Sequence, residues 1–142
     1  MALGIAMLVL FAAPESMVAV TDIQQSKEPT KTITETAAVE SARKWLALVD
    51  AGDWRASWAA ASKTFQALNT PDRWAAAATA VQSPLGKVIE HTFIREEFVP
   101  APPTGYQLVK FRSRYANRAD MLLTITLERE GEQWAVAGIM LD

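Results

Sequence analysis

The chain has 142 residues, half of them hydrophobic, and a formal net charge of −2 with both signs spread along it. This is one domain's worth of chain with material for a single core, and it lacks the one-signed basic field that nucleic-acid binding requires. With no cysteine, one histidine and no DxDxDG run, disulfides, thiolate zinc and iron–sulfur ligation are excluded, and neither a metal nor a cofactor is expected.

The first element is an apolar run of twelve residues, ALGIAMLVLFAA, from Ala2 to Ala13. It falls short of the ~20 residues that span a bilayer and matches the ~7–15 of a secretory apolar region. No Lys or Arg precedes it, and Met17 is large for the position two before a cut at Ala19. Export to the periplasm or beyond is therefore the expectation, and a membrane tether formed by an uncleaved segment is the alternative. Residues 1–20 are signal-like. Residues 21–31 complete a polar stretch, Pro14 to Lys31, that contains Pro29 and reads as a disordered tether. A single domain is expected over 32–142.

Thr32 and Glu35 form a T-x-x-E capping box, which predicts a helix start. Ala38, Ala42, Trp45, Leu46 and Val49 then recur at helical spacing, and Gly52 supplies a left-handed stop. Asp53 is placed to cap a second helix, whose stripe is Trp54, Trp58, Ala61, Phe65 and Leu68. Thr70 caps a third, with Pro71 at its first position, Trp74, Ala78 and Val81 along its face, and Pro84 at its end. The three tryptophans packed into WLALVDAGDWRASW thus read as core rather than as a reactive cluster. Trp74, Phe111 and Trp134 join them.

After Gly86 the period changes from 3.6 to 2. Lys87 to Val99 reads as one long or bulged strand, and APPTG, Ala101 to Gly105, as a loop. Tyr106 to Tyr115 has Val109 and Phe111 on one face and Lys110, Arg112 and Arg114 on the other. Met121, Leu123, Ile125 and Leu127 alternate in a third strand, and a tight turn at Gly131 leads to a fourth from Trp134 to Leu141. Three helices followed by a four-stranded antiparallel meander is α+β organisation, with the helices covering one sheet face.

The segments ARKWLALVDAGDWRASW, PDRW, SPLG, the Gly105–Tyr106 pair, FRSRYANRAD and EGEQWAVAG occur in this order. Together they resemble a bacterial family, domain of unknown function 4019, over about Ala37 to Met140. The resemblance implies a cystatin-like, nuclear-transport-factor-2-like cone, with helices in the concavity of a curved antiparallel sheet, and short exported proteins. It implies no activity, because none is assigned to the family. It also implies an aromatic after the last glycine, where Ile139 follows Gly138 here. If that position lines a pocket, the pocket of this chain is altered.

Folds of that class often hold a cavity between helices and sheet, and some relatives use it for acid–base chemistry. An isomerase or dehydratase needs a carboxylate or histidine in an apolar pocket. Strand parity puts His91 on one face with Ile89, Phe93 and Arg95, and makes it a weak candidate base with Glu97 or Asp120 nearby. A lone strand histidine hydrogen-bonded to a neighbour is the better reading. Asp50 and Asp53 could hold a cation between them, but capping and solvation account for both. Lys110, Arg112 and Arg114 could receive an anionic ligand or an acidic partner. They read more simply as a solvated face balanced by Glu128 and Glu130. The same sheet face would suit a homodimer. The function expected is an exported, non-enzymatic binding or accessory module for a small apolar ligand or a protein partner. The alternative is an isomerase or dehydratase using His91.

Overall fold

A computed structural model describes residues 35–142. The apolar run, the cut at Ala19, the tether and Thr32 lie outside the described residues. Among the described residues four helices, α1 (Ala37–Asp50), α2 (Trp54–Ala60), α3 (Lys63–Leu68) and α4 (Pro71–Leu85), precede the strands. These are β1 (Val88–Val99), β2 (Tyr106–Tyr115), β3 (Arg118–Glu130) and β4 (Gln133–Leu141), in one antiparallel sheet of order β1-β2-β3-β4. The α+β class and the meander are as expected. Thr36–Asp142 form a compact unit. Among the described residues no helix is long and apolar enough to cross a membrane.

α1 is capped by Thr36 rather than by Thr32: its hydroxyl oxygen accepts from the Val39 amide at 3.3 Å. The same hydroxyl reaches the Glu96 carboxylate on β1, at 2.9 Å from Oε2. A tertiary partner thus accompanies the cap, which a capping box read from local sequence does not register. The expected face of α1 is buried throughout, with Val39 added to it. Gly52, at φ 73°, turns the chain as expected, and the Asp53 carboxylate accepts from the Ala56 amide at 3.1 Å.

The expected second helix is two helices. The ladder breaks at Ala61 and Ser62, where the Ser62 amide donates to the Val136 carbonyl of β4 at 2.8 Å. Ser62 then caps α3, its Oγ accepting from the Phe65 amide at 3.1 Å. A hydrogen bond to the sheet replaces one within a helix, so no orphan amide is left behind. The break also ends the stripe: Ala61 and Phe65 are buried, but Leu68 is 69 % exposed. α4 begins at Thr70 and Pro71 as expected and runs one residue past Pro84. Val81, expected on its buried face, is 52 % exposed.

The aromatic residues build the centre of the core. Trp45 and Trp74 are buried with ring centroids 5.6 Å apart, and Phe65 meets Trp74 edge-on at 5.1 Å. Both buried indoles donate to one residue of α2: Trp45 Nε1 to the Ser57 carbonyl and Trp74 Nε1 to Ser57 Oγ, each at 2.8 Å. Ser57 is wholly buried, so these two bonds satisfy indole donors that have no water to turn to. Trp54, Trp58 and Trp134 are half-buried and pack around that core, whereas Phe111 is fully buried within it.

Candidate functional site

Asp50 is the last residue of α1, one turn after Leu46 and next to Val49, both buried. The i, i+4 spacing carries its carboxylate to the end of the apolar stripe that faces the sheet. On β2 strict alternation puts Val109, Phe111, Ser113 and Tyr115 on the inner face, and all four are buried. His91 pairs directly with Ser113 across β1 and β2. Register shifts between Val88 and Glu90 and between Phe93 and Arg95 reset the parity of β1 on either side of His91 and Phe93. Ile89 and Arg95 are therefore exposed instead of sharing the His91 face.

These placements bring four polar side chains together. His91 Nε2 lies 3.0 Å from Asp50 Oδ2 and 3.2 Å from Oδ1, and His91 Nδ1 lies 2.6 Å from Ser113 Oγ. A carboxylate only accepts, so Nε2 carries a proton and donates to Asp50. In the neutral ring Nδ1 then accepts from the Ser113 hydroxyl; in the imidazolium it donates to it. The side chains of His91 and Asp50 are 10 % and 22 % exposed, and Ser113 is wholly buried. Tyr115 stands beside this group, its ring centroid 6.2 Å from that of His91. Burial, and then the negative charge of Asp50, push the Tyr115 phenol up to about 12, against an opposing hydrogen bond from Ser113.

A cavity of about 260 Å³ opens beside the cluster, between α1, α4 and the sheet. Leu46, Trp74, Ala78 and Leu123 form much of its apolar wall, with Val81 on the α4 side. Asp50, Gln82 and Tyr115 are its polar members, and Ile139 and Leu141 close it from β4. These last two reach it because a register shift between Thr126 and Leu127 moves β4 by one residue, so that Ile139 faces inward with Val136 and Met140 faces out.

Ser113, His91 and Asp50 have the residue types of a hydrolytic triad, but their exposures order them differently. The serine is sealed at 0 % exposure, so no substrate carbonyl reaches its hydroxyl. The carboxylate is the member that lines the cavity. Ser113 and His91 therefore act as supports that fix Asp50 from behind.

The model of a family described as a protein of unknown function, DUF4019, matches residues 41–139. The chain belongs to the DUF4019 family. No curated protein matches it. The family span in this DUF4019 chain contains the whole polar cluster and ends at Ile139. The resemblance implied an aromatic at that position, and the position does line the cavity.

The remaining candidates in this DUF4019 chain lie elsewhere. His91 meets Asp50 and not Glu97 or Asp120: Glu97 lies 3.9 Å from Arg95 and 4.0 Å from Lys110, and Asp120 pairs with Arg112. Asp50 and Asp53 separate, one to His91 and the other to its cap. Among the described residues no cluster of His, Cys, Asp or Glu could hold a metal ion. Lys110, Arg112 and Arg114 lie on the sheet face away from the cavity, and each has a carboxylate, Arg114 meeting Glu90 at 3.4 Å. Their partners come from β1 and β3, while Glu130 instead accepts from the Lys63 amide at the start of α3, at 2.6 Å. Ser113 and Tyr115 were missed by reading for chemistry alone. The alternation that placed Val109 and Phe111 inward, carried four residues further, finds both.

Proposed function

We propose that this chain is a ligand-binding module, non-enzymatic and exported, that holds a small, largely apolar molecule between α1, α4 and the sheet. The observation that carries the reading is the cavity of about 260 Å³, whose wall is apolar apart from a few polar groups near the end of α1. That composition is what small-molecule sites use: apolar area for affinity and a few fixed polar groups for orientation. A cystatin-like, nuclear-transport-factor-2-like cone would place a cavity there. Export is supported by the apolar run Ala2 to Ala13. Native mass spectrometry of the chain purified from its own host tests the reading. A small bound mass in the wild type that is lost in Ala78→Trp, which fills the cavity, is expected. Bare chain in both, or the same adduct in both, contradicts it.

A second reading, an isomerase or dehydratase, is favoured by one distance, the 3.0 Å between His91 Nε2 and Asp50 Oδ2. In that reading Asp50 abstracts a proton from a substrate in the cavity, and His91 holds the carboxylate in place. Asp50→Asn keeps the shape of the side chain and removes the base. If it complements a deletion strain as fully as the wild type does, the enzyme reading fails.

A further inference from the structure

The wall of the cavity combines a carboxylate with aromatic rings. Asp50 lines it, and so do Trp74 and Tyr115. A carboxylate offers about four acceptor positions across its two oxygens, more than the His91 Nε2 donor engages. Asp50 also ends a helix of 14 residues, and the C-terminal end of a helix carries negative potential. Tryptophan and tyrosine faces attract cations through their ring quadrupoles, tryptophan most strongly. Carboxylate, helix end and rings favour the same ligand charge, and the surrounding apolar wall strengthens that preference by excluding water. An anion at this place would meet Asp50 and the helix end, both repulsive.

We infer that the cavity takes an organic ammonium ion, a small molecule with an apolar body and one cationic nitrogen set against Asp50. The inference rests on the binding reading above and adds the chemical class of the ligand. The cavity of about 260 Å³ suits a small molecule. His91 and Ser113 keep the carboxylate aimed at the cavity before the ligand arrives, which lowers the entropy cost of binding.

Titration calorimetry at neutral pH with three probes that share one phenyl body tests this. The probes are phenethylammonium, 2-phenylethanol and phenylacetate. Phenethylammonium is expected to bind about tenfold or more tightly than 2-phenylethanol, with phenylacetate weakest, and 2-phenylethanol is expected to compete with it. Asp50→Asn should remove the preference for the ammonium, so that phenethylammonium no longer binds more tightly than 2-phenylethanol. Equal binding of ammonium and alcohol, tighter binding of phenylacetate, or an ammonium affinity indifferent to Asp50→Asn overturns the inference while leaving a binding pocket in place. If none of the three binds, the pocket reading falls and takes this inference with it. The ranking in the wild type needs no variant, so it decides the matter even if Asp50→Asn does not fold.

Discussion

His91 Nε2 on β1 donates to Asp50 Oδ2 at the end of α1 across 3.0 Å, joining residues 41 apart in sequence. The other ring nitrogen meets Ser113 at 2.6 Å, so one imidazole ties α1 to two strands. Replacing it with an apolar side chain leaves the buried Ser113 hydroxyl and the Asp50 carboxylate without that partner. His91→Leu is expected to destabilise the fold by about 1–3 kcal/mol, the cost of stranding buried polar groups. His91→Leu with Ser113→Ala should recover part of this, because both members of one bond are then apolar. Urea denaturation of the two single variants and the double variant closes the cycle, and strict additivity would show that the bond contributes nothing.

The tryptophans differ in burial and should differ in energy. Trp74 is 6 % exposed, contacts three aromatic rings and donates to Ser57. Trp74→Ala is expected to cost ~3–5 kcal/mol, as large core truncations do. Trp58 is half-buried and rests on its hydrogen bond to the Asn69 carbonyl. Trp58→Ala should cost roughly 1–2 kcal/mol. Equal losses in chemical denaturation would contradict the packing described.

Tyr115 gives the fold a dependence on alkaline pH. Its phenol, at about 12 when folded, keeps its proton where an ordinary tyrosine near 10 has lost it. The unfolded chain therefore binds fewer protons than the folded one between those values. The stabilisation is whole below about pH 10, falls as pH rises toward 12 and is lost above it, by about 2–3 kcal/mol in all. Tyr115→Phe lacks the group, so the difference between wild type and variant should narrow across this window. A difference constant from pH 9 to 12 would contradict the assignment.

Much of the fold was legible because periodicity and caps are local signals. The apolar stripe of α1, the cap at Asp53, Pro71 at the start of α4 and the alternation of β3 all depend on near neighbours. The misreadings occur where a distant residue decides. Ser62 leaves its helix for the Val136 carbonyl, which splits the expected second helix. Register shifts in β1 expose Ile89 and Arg95, and another in β4 turns Ile139 inward. The site followed the same rule. His91 was legible as a candidate, but its acid comes from a helix 41 residues earlier, and nothing in strand parity points to Asp50.

Gly105 marks a close approach in the loop before β2. Its φ is +85°, and a Cβ there would clash with the Phe98 ring. Gly105→Ala combines backbone strain with a clash and is expected to lower stability by ~1–3 kcal/mol. Adding Phe98→Ala removes the clash but not the strain, so only part of the loss should return. Thermal melting of the three proteins checks this, and a Gly105→Ala variant as stable as the wild type would contradict it.

The proposed binding site is the space bounded by Asp50, Trp74, Tyr115 and Ile139. Titration of the ¹⁵N-labelled domain with 2-phenylethanol, followed by two-dimensional NMR, tests it most directly. Saturable shifts are expected, concentrated at the end of α1, along the Trp74 to Gln82 face of α4, and at Tyr115, Ile139 and Leu141. Shifts that do not saturate, or that gather at Lys110, Arg112 and Arg114 on the opposite sheet face, would contradict it.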